Sequence, residues 1–172
     1  MKMIDPMKII ASANDFLEAS NRCNFPDGKI TKDNLPLLVP GFVNCAFACE
    51  LYLKTIALMK NNNTTKGHRL DELFNSLDKD VQRQIYNLWR EQAGENIVDC
   101  DYIKKMFFDS LESVGNVFAK FRYVHEWSST TISIPQSYTN DQYHLIFNSN
   151  TYSGFLKQFA STLKVYLQTL DL

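Results

Sequence analysis

Apolar residues recur at spacings of three and four through most of this chain, and that recurrence predicts helices. In MKIIASANDFLEASNR (7–22), Ile9, Ile10, Ala13, Phe16 and Leu17 share one side, with Pro6 placed to start the helix. CNFPDGKITKDNLPLLVPG follows, and its three prolines and two glycines predict an ordered loop. A second helix is expected from Gly41 to about Lys60. It is closed by NNNTTKG, whose Asn and Thr side chains compete for the backbone and whose Gly67 suits an unusual dihedral. HRLDELFNSL (68–77) carries Leu70, Leu73, Phe74 and Leu77 on one stripe. DKDVQRQIYNLWREQAG repeats the pattern, with Asp78 or Asp80 as cap and Val81, Ile85, Leu88 and Trp89 facing inward.

A longer helix is expected over about 101–127. Tyr102 or Ile103, Met106, Phe107, Leu111, Val114 and Phe121 trace its broad apolar face. TTISI (130–134) and YHLIF (143–147) are instead β-prone, which predicts a small hairpin. The last helix, 151–170, aligns Phe155, Leu156, Phe159, Leu163, Tyr166, Leu167 and Leu170. The pattern thus predicts an all-α, up-and-down bundle of four core helices with extra helices and a small β-hairpin near the C-terminal third. One domain spans 1–172, with no linker or repeat to divide it.

The second helix breaks a rule. GFVNCAFACELYLKTIAL is apolar nearly all round, yet Glu50 and Lys54 stand at its middle, one turn apart and in the favourable order. Either the pair decorates a solvated edge, or it is a polar site set into a core, where charges must meet partners. The same charges are costly in lipid, so the stretch is expected to be a buried helix rather than a membrane span.

Composition narrows the classes. The 18 basic and 19 acidic side chains give a formal charge of -1, so the chain offers no long-range attraction for nucleic acid or an anionic membrane. Cys45 and Cys49 are four apart rather than in a CxxC spacing, and the start MKMIDPMKII is broken by Asp5 and Pro6. These features predict reduced thiols in a cytoplasmic protein, with Cys45 and Cys49 as small core residues. No metal or cofactor is expected: the chain lacks HExxH, GxGxxG, a Walker loop and GxSxG.

The densest group of chemically able side chains is FAKFRYVHEW (118–127). Arg122 and His125 are three apart and could share a cleft, with Tyr123 and Glu126 beside them. A histidine can serve as general base or acid near neutral pH, and an arginine can hold a phosphate bidentately. The alternative is structural: His125 ends its helix against the dipole, and Arg122 pairs with Glu126 or Glu50. His68 stands at a helix entrance, where packing and capping compete with contact to a ligand.

NCAFACELYLKTIAL, then KGHRLDELFNSL, then FAKFRYVHE resembles, in order and spacing, the HEPN superfamily of higher-eukaryote and prokaryote nucleotide-binding domains. The likeness covers about residues 44–126. It implies an all-α bundle that forms homodimers and binds RNA or a nucleotide in phage defence or a toxin–antitoxin response, with a protein partner encoded nearby. Many members are metal-independent endoribonucleases; others are non-catalytic interaction or regulatory modules. In the ribonuclease branch the active pair is R-x(4–6)-H. Carried here, Arg122 matches the arginine and Glu50 the polar residue of the earlier helix, which makes Glu50 the expected partner of Arg122. This chain has R-x-x-H instead, which sets His125 about 60° around and about 4.5 Å along a helix from Arg122. In that branch His125 would deprotonate a 2′-hydroxyl and Arg122 would stabilise the phosphorane.

Overall fold

The computed structural model describes residues 5–23, 37–61, 66–94, 100–115 and 153–170. Among these the chain is helical throughout: α1 (Pro6–Arg22), α2 (Leu38–Asn61), α3 (Leu70–Asn75), α4 (Lys79–Ala93), α5 (Asp101–Val114) and α6 (Ser153–Gln168). No strand occurs among the described residues, and the hairpin expected over 130–147 lies outside them.

Asp5 caps α1 by accepting the Met7 N–H at 3.0 Å, and Pro6 follows where its missing N–H costs nothing. The helix lies along α2. Ala13 is fully buried, Phe16 meets Phe47 edge to face at 4.5 Å, and the Ser20 hydroxyl donates to the Gly41 carbonyl at 2.8 Å.

α2 begins at Leu38, earlier than the expected Gly41, and so takes Pro40 into its first turn. First-turn N–H groups have no intrahelical acceptor, so proline is tolerated there. Val39–Lys60 is long and apolar enough to cross a membrane by length and composition alone. Here the helix packs against α1, α3 and α6, burying Cys45, Ala46, Ala48, Cys49, Tyr52, Leu53, Ile56 and Ala57.

The rest of the core gathers round Phe107 of α5. Its ring meets Phe74 at 5.6 Å, Tyr86 at 5.4 Å, Trp89 at 5.0 Å, Phe155 at 5.7 Å and Phe159 at 6.0 Å, all steeply inclined. Edge-to-face geometry suits the ring quadrupoles. α6 joins α4 through side-chain hydrogen bonds: Gln158 Nε2 donates to the Trp89 carbonyl and the Tyr166 hydroxyl to Gln84 Oε1, both at 3.0 Å.

Of the alternatives Tyr102 and Ile103 on α5 the inward one is Ile103, and the inward assignment of Met106 is corrected. Tyr102 is 73% exposed and Met106 38% exposed, whereas Ile103 is half-buried. The core contacts of α5 follow Phe107, Leu111 and Val114, and Tyr102 and Met106 lie off that line. On α4, Leu88 is only partly buried, and Gln82 and Tyr86 go inward instead. Gln82 can do so because its Nε2 donates to the Leu77 carbonyl at 2.7 Å, which also ties α4 to the end of α3.

Candidate functional site

Glu50 projects from the middle of α2 with only 2% of its surface exposed. Its Oε1 accepts from Lys54 Nζ at 2.8 Å and from His68 Nδ1 at 2.9 Å. The pair is therefore no decoration of a solvated edge. The carboxylate is buried, while Lys54 is 25% and His68 61% exposed, so the cluster runs from the core to the surface. Beside an ammonium a carboxylate only accepts, so Nδ1, the ring nitrogen facing it, is the donor.

Both donors use the same oxygen. The other, Oε2, is buried and has no hydrogen-bond partner among the described residues. A buried carboxylate oxygen without a partner is costly, and Trp89 Nε1 is the other buried side-chain atom in that position among the described residues.

His68 reaches Glu50 because of the turn before α3. Gly67 has φ 101°, a conformation side chains rarely adopt, and it turns the chain back toward α2. The turn is pinned on its far side as well. Leu70 N–H donates to the Gly115 carbonyl at 2.9 Å, and Arg69 grips Asp71 with Nη2 to Oδ2 at 2.7 Å. Hydrogen bonding to Asp71 holds the Arg69 guanidinium above its ordinary pKa. Gly115 leaves no room for a side chain, since a Cβ there would stand 2.7 Å from Asp71 Cγ.

Arg122, Tyr123, His125 and Glu126 lie outside the described residues, and so does the expected Glu50–Arg122 pair. What the structure brings together is Glu50, Lys54 and His68, and the partnership of Glu50 with His68 was missed in the sequence. A signal was available. A buried carboxylate in an apolar helix demands donors, and His68 opens the next predicted helix.

The buried thiols form a separate cluster. A hydrogen bond from Cys49 lowers the pKa of Cys45, whereas burial pushes the Cys49 thiol well up. Both are core residues, as expected from their small size. A small opening between α1, α2 and α6, lined by Tyr52, Asn14 and Lys164 among others, has a volume of about 50 Å³. That is room for a water or two, not for a nucleobase.

No protein-family model, no curated protein and no solved structure matches this chain.

Proposed function

We propose that this chain is a HEPN-like, cytoplasmic helical protein that forms homodimers and binds RNA or a nucleotide, in phage defence or a toxin–antitoxin response. One observation carries the reading: the buried Glu50 collects Lys54 and His68 on one oxygen, and its other oxygen has no partner among the described residues. A purely structural pair would be expected to use both oxygens, or to be replaced by apolar packing at no loss of stability. Here the helix retains a charge in its most apolar stretch and leads it to the surface through an imidazole. Cationic and imidazole donors at the rim suit phosphate, and the near-neutral chain requires that attraction to be local.

In this reading Arg122 and His125 contribute to binding, as the family resemblance implies. Fluorescence anisotropy with labelled single-stranded RNA and with ATP tests the binding, beside light scattering for the dimer. Arg122→Ala and Lys54→Ala should each weaken binding several-fold and flatten its salt dependence. Absence of binding to RNA and nucleotide alike would remove the proposal.

A further inference from the structure

We infer that Cys23 and Cys45 are a redox-sensitive pair that closes into a disulfide between α1 and α2. The two helices run antiparallel: Asn14 meets Tyr52, Phe16 meets Phe47 and Ser20 meets Gly41 in turn. Cys23, the residue that ends α1, therefore falls beside the first turns of α2. Gly41 makes room for it, since a Cβ there would stand 3.1 Å from the Cys23 Cβ. Cys45 follows Gly41 by one turn on the same face, which sets those two positions about 5–6 Å apart. The Ser20 hydroxyl links the group: it donates to the Gly41 carbonyl at 2.8 Å and lies within hydrogen-bond reach of the Cys45 thiol. Helical side chains tilt toward their own N-terminus. In an antiparallel pair, Cys23 thus leans toward Cys45 and Cys45 leans back toward Cys23.

The other pairings are worse placed. Cys45 and Cys49 lie one turn apart on α2, about 5–6 Å between Cβ atoms, whereas a disulfide takes about 3.5–4.5 Å. Both sit in the buried body of that helix, which holds their backbone in place. Cys49 stands roughly 12 Å along the axis from Gly41, out of reach of Cys23. Cys23 lies at a helix end, where local opening costs least, and is the partner that moves.

The roles follow exposure. Cys23 is half-buried and meets the oxidant, a low-molecular-weight disulfide such as oxidised glutathione, whereas Cys45 is buried. The Cys23 thiolate attacks one sulfur of that disulfide, forming an S–S bond, and one glutathione thiolate leaves. The Cys45 thiolate then attacks Cys23 Sγ, forming the protein disulfide and expelling the second glutathione. Two protein thiols lose two electrons and two protons, and oxidised glutathione becomes two reduced molecules. A hydrogen bond from Cys49 and the charge of Lys157 hold the Cys45 pKa below its ordinary value against the effect of burial, which favours the second attack.

The test uses the full chain carrying Cys100→Ser, which removes an exposed thiol able to cross-link two molecules. Reduced protein is held at pH 7 in oxidised glutathione, alkylated, and digested for peptide mass spectrometry. The Cys23 peptide should be found joined to the peptide holding Cys45, and should stay joined in Cys49→Ala. Oxidation should raise the midpoint of thermal unfolding by roughly 5–15 °C. Cys45→Ala should lose the link and the shift, and leave Cys23 carrying glutathione. Cys23→Ser, at a half-buried position, keeps the test readable if Cys45→Ala disturbs the core by circular dichroism: it should lose the link and the shift while Cys45 stays a free thiol. Cys23 that stays glutathionylated in the parent overturns the inference. So does a bridge between Cys45 and Cys49, a link that survives in Cys45→Ala, or a midpoint that oxidation leaves unchanged or lowers.

Discussion

Replacing Glu50 by leucine separates a carboxylate kept for chemistry from one kept for structure. The substitution removes two hydrogen bonds accepted by a charged carboxylate, at 2.8 and 2.9 Å, each contributing roughly 1.5–3 kcal/mol. Against that loss, burying the carboxylate costs several kcal/mol even after relaxation, on the order of the two bonds together. Oε2, which has no partner among the described residues, adds roughly 1–3 kcal/mol of penalty that also disappears. The released partners are solvated at little cost, since Lys54 is 25% and His68 61% exposed. The sums nearly cancel, so Glu50→Leu should lie within about 2 kcal/mol of the parent, on either side. Lys54→Leu acts differently, because it strips one donor from a carboxylate that stays buried, and should cost about 1–3 kcal/mol. Equilibrium urea unfolding of the full chain at pH 7 measures both, provided the m-values agree. A loss above about 3 kcal/mol for Glu50→Leu, or a smaller cost for Lys54→Leu than for Glu50→Leu, refutes the reasoning. In that case Glu50 is there to hold the helices together.

Phe107→Ala should cost about 3–5 kcal/mol by the same assay, because its ring sits among Phe74, Tyr86, Trp89, Phe155 and Phe159. A value under about 2 kcal/mol would place the core elsewhere. Gly115→Val should destabilise by about 1–3 kcal/mol, since the added side chain must displace Asp71 from Arg69; a neutral result would show that this contact yields freely. Burial holds the Tyr52 hydroxyl above its ordinary value of 10.0, with the Cys49 and Cys45 thiols adding to the effect, and burial raises Tyr166 too. A raised pKa means the unfolded chain ionises first. The contribution of these tyrosines is therefore constant below about pH 10 and falls as pH rises beyond it. Absorbance at 295 nm should show most of the eight tyrosines ionising before these two, and simultaneous titration of all would contradict their burial. Ellman's reagent should modify exposed Cys100 at once and buried Cys45 and Cys49 only on unfolding. Immediate modification of all four would contradict the packing of α2.

Periodicity was enough to place the helices, because an amphipathic face is a local property of sequence. The inward line of α6 and the burial of Cys45 and Cys49 follow the expected pattern closely. Pro40 misled the start of α2, because proline stops a helix only in its interior, and a first turn accommodates it. Met106 misled the face of α5: an apolar residue can lie beside a core line without joining it, and only the neighbouring helices decide. The candidate site was half legible. Glu50 and Lys54 are one turn apart, so their pairing could be read from spacing. His68 lies 18 residues from Glu50, and what joins them is the reversal at Gly67 and the anchoring of Leu70 by Gly115. Sequence spacing holds no record of such a long-range hydrogen bond.

That anchoring sets an order of events. α3 has six residues, far below the roughly 12–15 that a helix needs to persist alone, so it exists only once its neighbours hold it. α1 and α2 are long, consecutive and directly packed, and can close on each other early. The segment holding His68 waits for Gly115, 45 residues beyond Leu70, to arrive with α5. Glu50 is thus in place before His68, and a chain still folding carries the carboxylate with Lys54 alone. The Glu50 cluster is completed last, so losing the Gly115 anchor leaves Glu50 with Lys54 alone.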